Sequence, residues 1–342
     1  MMSLKNRAFF ILLLSLGISA CKKGNKVTPT KTVDVYVAGF VHASNGNALA
    51  AYWKNGSLVT LTDQSIPSDV AAIVVYGNDV YIAGNTATAN GKFVAAYWKN
   101  GKITKLADST TSSAASAIAV NSSGVYVAGS GADGALYWKN GSLTHLPGSN
   151  LSQSSAIALS GSDVYVAGFS ATPGGYVATY WKNGDATALT SGPGNSAAGG
   201  IAINGSDIYI SGTIVGFLQN TAVYWKNGVV VNLSDNITTA SATGIAINGS
   251  DVYVAGEAEL LVNAGVSPGL LSMYYWKNGT LANPQSGAVA STNVEIGGIA
   301  LAGSDVYVAG NIGNFPGYWK NGTLVQFTGM QGVARTIAIV EH

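Results

Sequence analysis

The chain has 342 residues, of which only 10% are charged, and its formal net charge is +1. It therefore offers neither a basic surface nor an acidic tail, and we expect no nucleic-acid partner. Its one cysteine excludes an intramolecular disulfide, so burial of apolar side chains has to stabilise the fold.

The first residues have the pattern of a secretion signal. Two basic residues precede an apolar run of 13 residues that ends at Ala20. A membrane-spanning helix needs about 20 apolar residues, so the pattern predicts a cleaved signal peptide over residues 1–20. The run Ile18-Ser19-Ala20-Cys21 resembles a bacterial lipobox. This resemblance implies a lipid anchor at Cys21, and the alternative is a plain secretory signal with an unmodified cysteine.

Residues 21–32 are predicted to be a lipidated cysteine, Cys21, followed by a flexible tether. The segment after Cys21 carries four lysines and one proline and is almost devoid of apolar residues, which is typical of a flexible linker. Lys22 stands where an Asp would resemble an inner-membrane retention signal. We therefore expect a protein of the bacterial cell envelope that is anchored in the outer membrane, either on the periplasmic side or at the cell surface.

A Tyr-Trp-Lys-Asn-Gly run recurs seven times in residues 33–342 and contains every tryptophan of the chain. These are Trp53, Trp98, Trp138, Trp181, Trp225, Trp276 and Trp319. The spacing of 40 to 51 residues is typical of the blades of a β-propeller. The run predicts one repeat domain rather than two ordinary domains.

The fourth copy shows the strands of the unit most clearly. Apolar or β-forming stretches at 156–159, 164–168, 177–182 and 186–189 are separated by turn residues, and the last turn is Asn183-Gly184. Four strands in each of seven units predict an all-β fold, namely a seven-bladed β-propeller of four-stranded blades.

This order of strands and turns resembles a kelch repeat, with Ala-Gly where that family has Gly-Gly and with the tryptophan on the third strand. It is also similar to the HAF-type extracellular repeats. Neither resemblance implies a catalytic function.

The two ends of the array predict how the ring closes. The first copy begins at residues 34–39, already on a second strand, whereas the chain finishes with a first strand at 336–340. We expect the C-terminal strand to complete the N-terminal blade as its innermost strand, which removes the open sheet edges.

The repeated residues have structural interpretations. Successive Tyr and Trp side chains point to opposite faces of a strand, so we expect them to pack between blades rather than to stack on sugars. The repeated lysines are expected to be solvated. The repeated aspartates, which the third copy replaces with Gly124, are expected to accept backbone hydrogen bonds within their own turns rather than to bind calcium.

Antiparallel order assigns the connections to two faces. Turns between strands 1 and 2 and between strands 3 and 4 lie on one face, here called the turn face, and are nearly invariant. The remaining connections lie on the opposite loop face and vary, which makes it the candidate binding surface. Its longest insertion, residues 257–273, contains Glu257, Glu259 and Leu260-Leu261-Val262. This insertion is predicted to be a lid or partner contact, with a tolerated surface insertion as the alternative.

One position of the inner strand breaks the repeat. Six copies have a small residue there, but the closing strand has Arg335, and two positions earlier the only acids are Asp69 and Glu295. Closure of the ring places these three residues in consecutive blades at the mouth of the channel. We predict that they contact an anionic or sugar-like ligand, and the alternative is an ion pair at the seam of the ring.

Catalytic residue patterns are scarce. The three histidines are dispersed, and no phosphate-binding loop or metal-ligand spacing is present, so we expect no cofactor and no metal. The leading hypothesis is a non-catalytic, membrane-tethered binding or scaffold module for a protein or glycan. The alternatives are a purely structural or adhesive envelope protein and a glycan hydrolase or lyase. The candidate carboxylates of such an enzyme are Asp69, Asp108, Asp133, Glu257 and Glu295.

Overall fold

The computed structural model describes residues 32–342 except 109, 193, 218, 235–236, 261–270, 283–293 and 330, and only the backbone of 237–238, 259–260, 271–274 and 294. The predicted signal peptide, Cys21 and the tether up to residue 31 lie outside the described residues. The described part of the chain contains no helix long and apolar enough to cross a membrane.

The described residues form 28 strands. In chain order they are β1 (Val33–His42), β2 (Ala48–Lys54), β3 (Ser57–Thr60), β4 (Ser68–Tyr76), β5 (Asp79–Ala87), β6 (Phe93–Lys99), β7 (Lys102–Lys105), β8 (Ser113–Asn121), β9 (Gly124–Gly131), β10 (Gly134–Lys139), β11 (Ser142–His145), β12 (Gln153–Ser160), β13 (Asp163–Thr172), β14 (Gly175–Lys182), β15 (Asp185–Ala188), β16 (Asn195–Asn204), β17 (Asp207–Val215), β18 (Asn220–Lys226), β19 (Val229–Asn232), β20 (Ile237–Asn248), β21 (Asp251–Leu260), β22 (Leu271–Lys277), β23 (Thr280–Ala282), β24 (Val294–Ala302), β25 (Asp305–Ile312), β26 (Phe315–Lys320), β27 (Thr323–Gln326) and β28 (Gly332–Glu341).

These strands form seven four-stranded antiparallel sheets, and the predicted seven-bladed β-propeller is confirmed. Blades 2 to 7 use consecutive strands, whereas blade 1 has the order β28-β1-β2-β3. The inner strand β28 contacts β24 of blade 7 and β4 of blade 2, which closes the ring. Val35 pairs with Ile339, so the predicted closure by the C-terminal strand is also confirmed.

The same aromatic contact joins every pair of neighbouring blades. Trp98 of blade 2, for example, is 1% exposed and packs against Tyr36, Ala38 and Ala50 of blade 1. Tyr52, next to the tryptophan of blade 1, packs into this same interface from the other side. Each blade thus offers its tryptophan to one neighbour and its tyrosine to the other, as the alternation along the strand predicts. The expected packing role of both residues is confirmed.

Each inner strand carries a β-bulge, which explains the repeated glycine of the second strand. In blade 2 the register shifts between Val70 and Ala72, so Ala71 is the extra residue. A Cβ on Gly84 would lie 2.0 Å from the carbonyl oxygen of Asp69. Because only a glycine fits beneath this carbonyl, the bulge and the glycine occur together, and the bulge turns one residue per blade towards the channel.

Several strands are longer than the sequence pattern predicts. In blade 4 the second strand was expected to end at Gly168, but β13 continues to Thr172 and pairs with the start of β14. Ser, Thr and Gly residues in this stretch extend the hairpin because the partner strand satisfies their backbone groups. The connections on the loop face are correspondingly shorter than expected.

Candidate functional site

The turn face carries a repeated polar cluster. In six blades an aspartate at the start of the second strand accepts hydrogen bonds from the lysine (2.8–2.9 Å) and the asparagine (2.6–2.9 Å) of the Lys-Asn-Gly turn. In blade 1 these groups are Asp34, Lys54 and Asn55. The asparagine oxygen in turn accepts the backbone N–H of Val35 at 2.9 Å. These hydrogen bonds therefore connect the start of the second strand to the turn between the third and fourth strands of the same blade.

Two expectations for these residues are corrected. The lysines are not merely solvated, because each ammonium also lies 5.1–5.3 Å from the centroid of a tyrosine ring. The aspartates bond to the neighbouring turn rather than within their own. Hydrogen bonds from Lys54 and then Asn55 lower the pKa of Asp34 from 3.8 to about 2. No group of three or more His, Cys, Asp or Glu side chains among the described residues could hold a metal ion.

The loop face contains the mouth of the channel. The seven bulge residues line one cavity of about 800 Å³, together with Glu257 and Glu295. These bulge residues are Ala71, Ser116, Ser155, Gly199, Thr243, Gly297 and Arg335. The inner-strand position that breaks the repeat in the sequence therefore forms one ring of residues in the channel wall. Arg335 is the one charged residue of this ring.

Arg335 is exposed to the cavity. Its guanidinium carbon lies 5.3 Å from the centroid of the Phe40 ring, a favourable cation–π distance. No ion pair within 4.0 Å joins Arg335 to Asp69 or Glu295, and all three side chains are described. The structure thus places Arg335 in the channel and beside Phe40 rather than in an ion pair with these two acids.

Asp69 does not line the cavity. Its Oδ1 accepts hydrogen bonds from the backbone (3.1 Å) and the side-chain amide (2.8 Å) of Asn85. The Oδ1 atom of Asn85 accepts the backbone N–H of Ala115 in blade 3 at 2.9 Å. The structure thus brings Arg335, Glu257 and Glu295 to the cavity, and it assigns Asp69 to a link between blades.

Glu257 lies on a strand rather than in the predicted insertion. It follows the glycine of β21, and its Oε1 accepts the backbone N–H of Ile296 in blade 7 at 3.2 Å. Burial raises the pKa of Glu257, and the nearby charge of Glu295 raises it further. The insertion is shorter than predicted because residues 257–260 and 271–273 continue β21 and β22. The Glu259 side chain and residues 261–270 lie outside the described residues.

Sequence reasoning missed a second property of the loop face. Large apolar side chains are exposed there at Ile66, Phe93, Leu151, Tyr176, Val215, Phe217 and Phe315. Other exposed large apolar side chains lie at the turn face or on the outer strands, at Leu58, Val59, Tyr76, Ile103, Leu143, Val229, Val230, Leu324 and Val325. Scattered apolar residues are ordinary, but four of the five exposed aromatic rings of the described residues lie on the loop face, namely Phe93, Tyr176, Phe217 and Phe315. The sequence did contain a sign of this property, because three blades have an aromatic residue at or next to the start of their third strand.

Comparison with known proteins supports the fold of the chain and does not assign it a function. No family model and no curated protein matches the chain. Among solved structures it is similar to a puromycin-hydrolysing peptidase of Mycobacterium tuberculosis, at 13% identity and a TM-score of 0.50 over 75% of this chain and 46% of that one. It is also similar to an acylaminoacyl peptidase complexed with Z-Gly-Gly-Phe-chloromethyl ketone, at 12% identity and a TM-score of 0.50 over 88% of this chain and 51% of that one.

A third structure, apo AztD from Citrobacter koseri, matches 91% of this chain and 99% of its own at 11% identity and a TM-score of 0.38. The chain spans about half the length of the two peptidases. The likenesses to the two peptidases show a shared β-propeller fold alone.

Proposed function

We propose that the chain is a lipid-anchored β-propeller of the bacterial cell envelope that binds a protein or glycan through its loop face without catalysing a reaction. The lipobox-like residues before Cys21 and the lysine-rich tether support the anchor, and Lys22 favours the outer membrane. The kelch-like order of strands resembles a family whose repeat implies no catalytic function, which is consistent with this proposal.

The main support for the binding proposal is that one of the seven bulge residues around the channel mouth differs from the other six. Six bulge positions hold Ala, Ser, Gly or Thr, which leaves room for a ligand, and the seventh holds Arg335. A guanidinium group presents several N–H donors in one plane and so binds carboxylate, phosphate or sugar hydroxyl groups with defined geometry. Arg335 therefore orients a ligand that enters from the loop face.

Binding is tested by comparing Arg335→Ala with Ser155→Ala, which changes another residue of the same ring. The full mature protein is applied to a glycan array and to a pull-down from envelope extracts. We expect Arg335→Ala to weaken capture by roughly tenfold or more and Ser155→Ala to leave it unchanged. Unchanged capture by Arg335→Ala contradicts the proposal, as does a loss that only follows a lowered melting temperature.

The anchor is tested separately by membrane fractionation of cells that produce Cys21→Ser. We expect this variant to move from the membrane fraction to the soluble fraction. Retention in the membrane would contradict lipidation at Cys21 without affecting the binding proposal.

One observation favours the alternative of a glycan hydrolase or lyase. Glu257 and Glu295 line the same cavity, and the pKa of Glu257 is raised, as a general acid requires. Turnover of chromogenic glycosides that is lost in Glu257→Gln and in Glu295→Gln would establish this function. We expect no turnover by the unaltered protein.

A further inference from the structure

Blade 3 contains a second pocket, separate from the channel mouth. Its volume is about 240 Å³, and it lies between the β7–β8 connection and the β9–β10 hairpin. Its walls include Asp108, Asp133, Leu136, Trp138 and Leu143. None of these residues lines the channel cavity.

The floor of this pocket is apolar. Leu136 and Trp138 belong to the core of the interface between blades 2 and 3 and are 3% and 2% exposed. Leu143, on the outer strand β11, is 48% exposed and extends the apolar surface to the rim. An aliphatic chain that enters the pocket would therefore be removed from water on several sides.

Two carboxylates are placed at the rim. Oδ1 of Asp108 accepts the backbone N–H of Thr110 at 2.8 Å and its hydroxyl at 2.5 Å, which fixes the carboxylate in place. Asp133 occupies the two-residue turn between β9 and β10 and is exposed. Among the described residues no Lys or Arg nitrogen lies within 4.0 Å of either carboxylate. Lys92 donates to the carbonyl oxygen of Thr110 at 2.5 Å, and the pocket lining also includes the side chain of His145.

Blade 7 shows why the pocket is open in blade 3. Its second and third strands have the same lengths, and Ile312 pairs with Phe315 at the end of its hairpin. In blade 3 the corresponding pair is Gly131 and Gly134, and Gly131 lines the pocket. Gly131 thus has a hydrogen atom where blade 7 has the Ile312 side chain, and a Cβ at Gly131 would lie 3.2 Å from Leu136, so its absence leaves space above Leu136.

We propose that this pocket binds the cationic side chain of a partner polypeptide, an arginine or a lysine. The aliphatic stem of that side chain lies on Leu136, Leu143 and Trp138, and its charged end reaches Asp108 and Asp133. Arg and Lys combine an apolar stem with a terminal charge, which matches an apolar floor with an anionic rim. The site is independent of Arg335, because it has the opposite charge and a different set of walls.

The test uses small probes and the seven tryptophan indole N–H signals of the full mature protein in a nitrogen-15 NMR spectrum. Nα-acetyl-arginine amide and Nα-acetyl-lysine amide are titrated, with Nα-acetyl-citrulline amide as the neutral isostere of arginine. The Trp138 signal is assigned with Trp138→Phe. We expect at least one cationic probe to shift this signal, with the citrulline probe binding roughly tenfold more weakly or not at all.

The matched variants are Asp108→Asn with Asp133→Asn, and Asp63→Asn as the control. Asp63 forms the same turn with Ser65 in the preceding blade connection, but it does not line the pocket. The double variant should lose binding, and the control should bind like the unaltered protein. Equal binding of the citrulline probe, retained binding by the double variant, or a shift confined to other indole signals would each overturn the proposal. Unchanged signals of the other six tryptophans show that the variants are folded.

Discussion

The two faces of the propeller are built from the same seven repeats, but they have diverged to different degrees. On the turn face the Asp-Lys-Asn cluster recurs in six blades with nearly the same distances. On the loop face the residue after the glycine of the second strand differs widely, with Phe40 in blade 1, Asn85 in blade 2 and Glu257 in blade 6. Residues that recur in the repeats stabilise the blades. Residues that differ between the repeats determine the charge and polarity of the loop face.

The largest effect should follow from breaking the ring itself. Deleting residues 333–342 removes most of β28, including the buried Ala334 and Ile337, and leaves blade 1 without its inner strand. We expect the cooperative thermal transition seen by circular dichroism to be lost. Removing His342 alone is the control, because it eliminates only a 3.3 Å contact with Asp34. An unchanged melting temperature for the longer deletion would contradict the closure.

A smaller loss should follow from emptying one contact between blades. Trp181 is fully buried, and its indole N–H donates to the carbonyl oxygen of Pro147 at 2.9 Å. Trp181→Ala should lower the free energy of unfolding by about 3–5 kcal/mol in urea denaturation. Phe217→Ala, at a fully exposed position of the loop face, should change it by less than about 0.5 kcal/mol. Similar losses for the two variants would remove the distinction between core and surface aromatics.

Acid should weaken the hydrogen bonds of the turn face. The pKa of Asp34 is about 2 in the folded protein against 3.8 as its ordinary value, and five further aspartates of the cluster are also lowered by their Lys and Asn partners. The unfolded chain therefore binds more protons in this range, and stability that is complete above about pH 4 is lost as the pH falls towards 2. Urea denaturation at several pH values measures the slope, and Asp34→Asn should reduce it. A stability independent of pH in this range would contradict the prediction.

The smallest effect should come from restoring the cluster that blade 3 lacks. Its turn has Gly124 at φ +138°, whereas five other blades have a glycine two positions earlier at φ +53° to +60°. A Cβ on Gly124 would lie 2.0 Å from Oδ1 of Asn140, so Gly124→Asp alone should destabilise the protein. Ser122→Gly combined with Gly124→Asp should adopt the common turn and pair with Lys139. We expect the melting temperature of this double variant to rise by a few degrees at low salt and by less at high salt. A double variant no more stable than the single one would contradict this account.

The number of blades and their closure could be predicted because local chemistry determines them. The Asn-Gly turns have the expected left-handed asparagines, with φ of +48° to +52°, and each fixes one hairpin in register. Because the same turn occurs seven times, it identifies one hairpin in each of the seven blades. The alternation of Tyr and Trp along one strand was sufficient to predict on which sides of a blade they pack.

The sequence could not predict features that depend on two strands at once. The bulge opposite Gly84 and the pairing of Asp34 with Lys54 both require the register between neighbouring strands. Glu257 was interpreted as a loop residue because its strand has no apolar alternation at that point. The pocket of blade 3 depends on the missing side chain at Gly131, and such an absence has no sequence pattern of its own.

The composite blade has a consequence for biogenesis. Six blades are each complete once their own four strands have been translated, but blade 1 has to wait, because its innermost strand is the last part of the propeller to leave the ribosome. Until β28 is in place, β1 lacks its inner partner strand and β4 lacks the inner strand of the neighbouring blade. The apolar surfaces that β28 covers in the closed ring stay exposed. The docking of β28 against β1 is therefore the step that closes the ring.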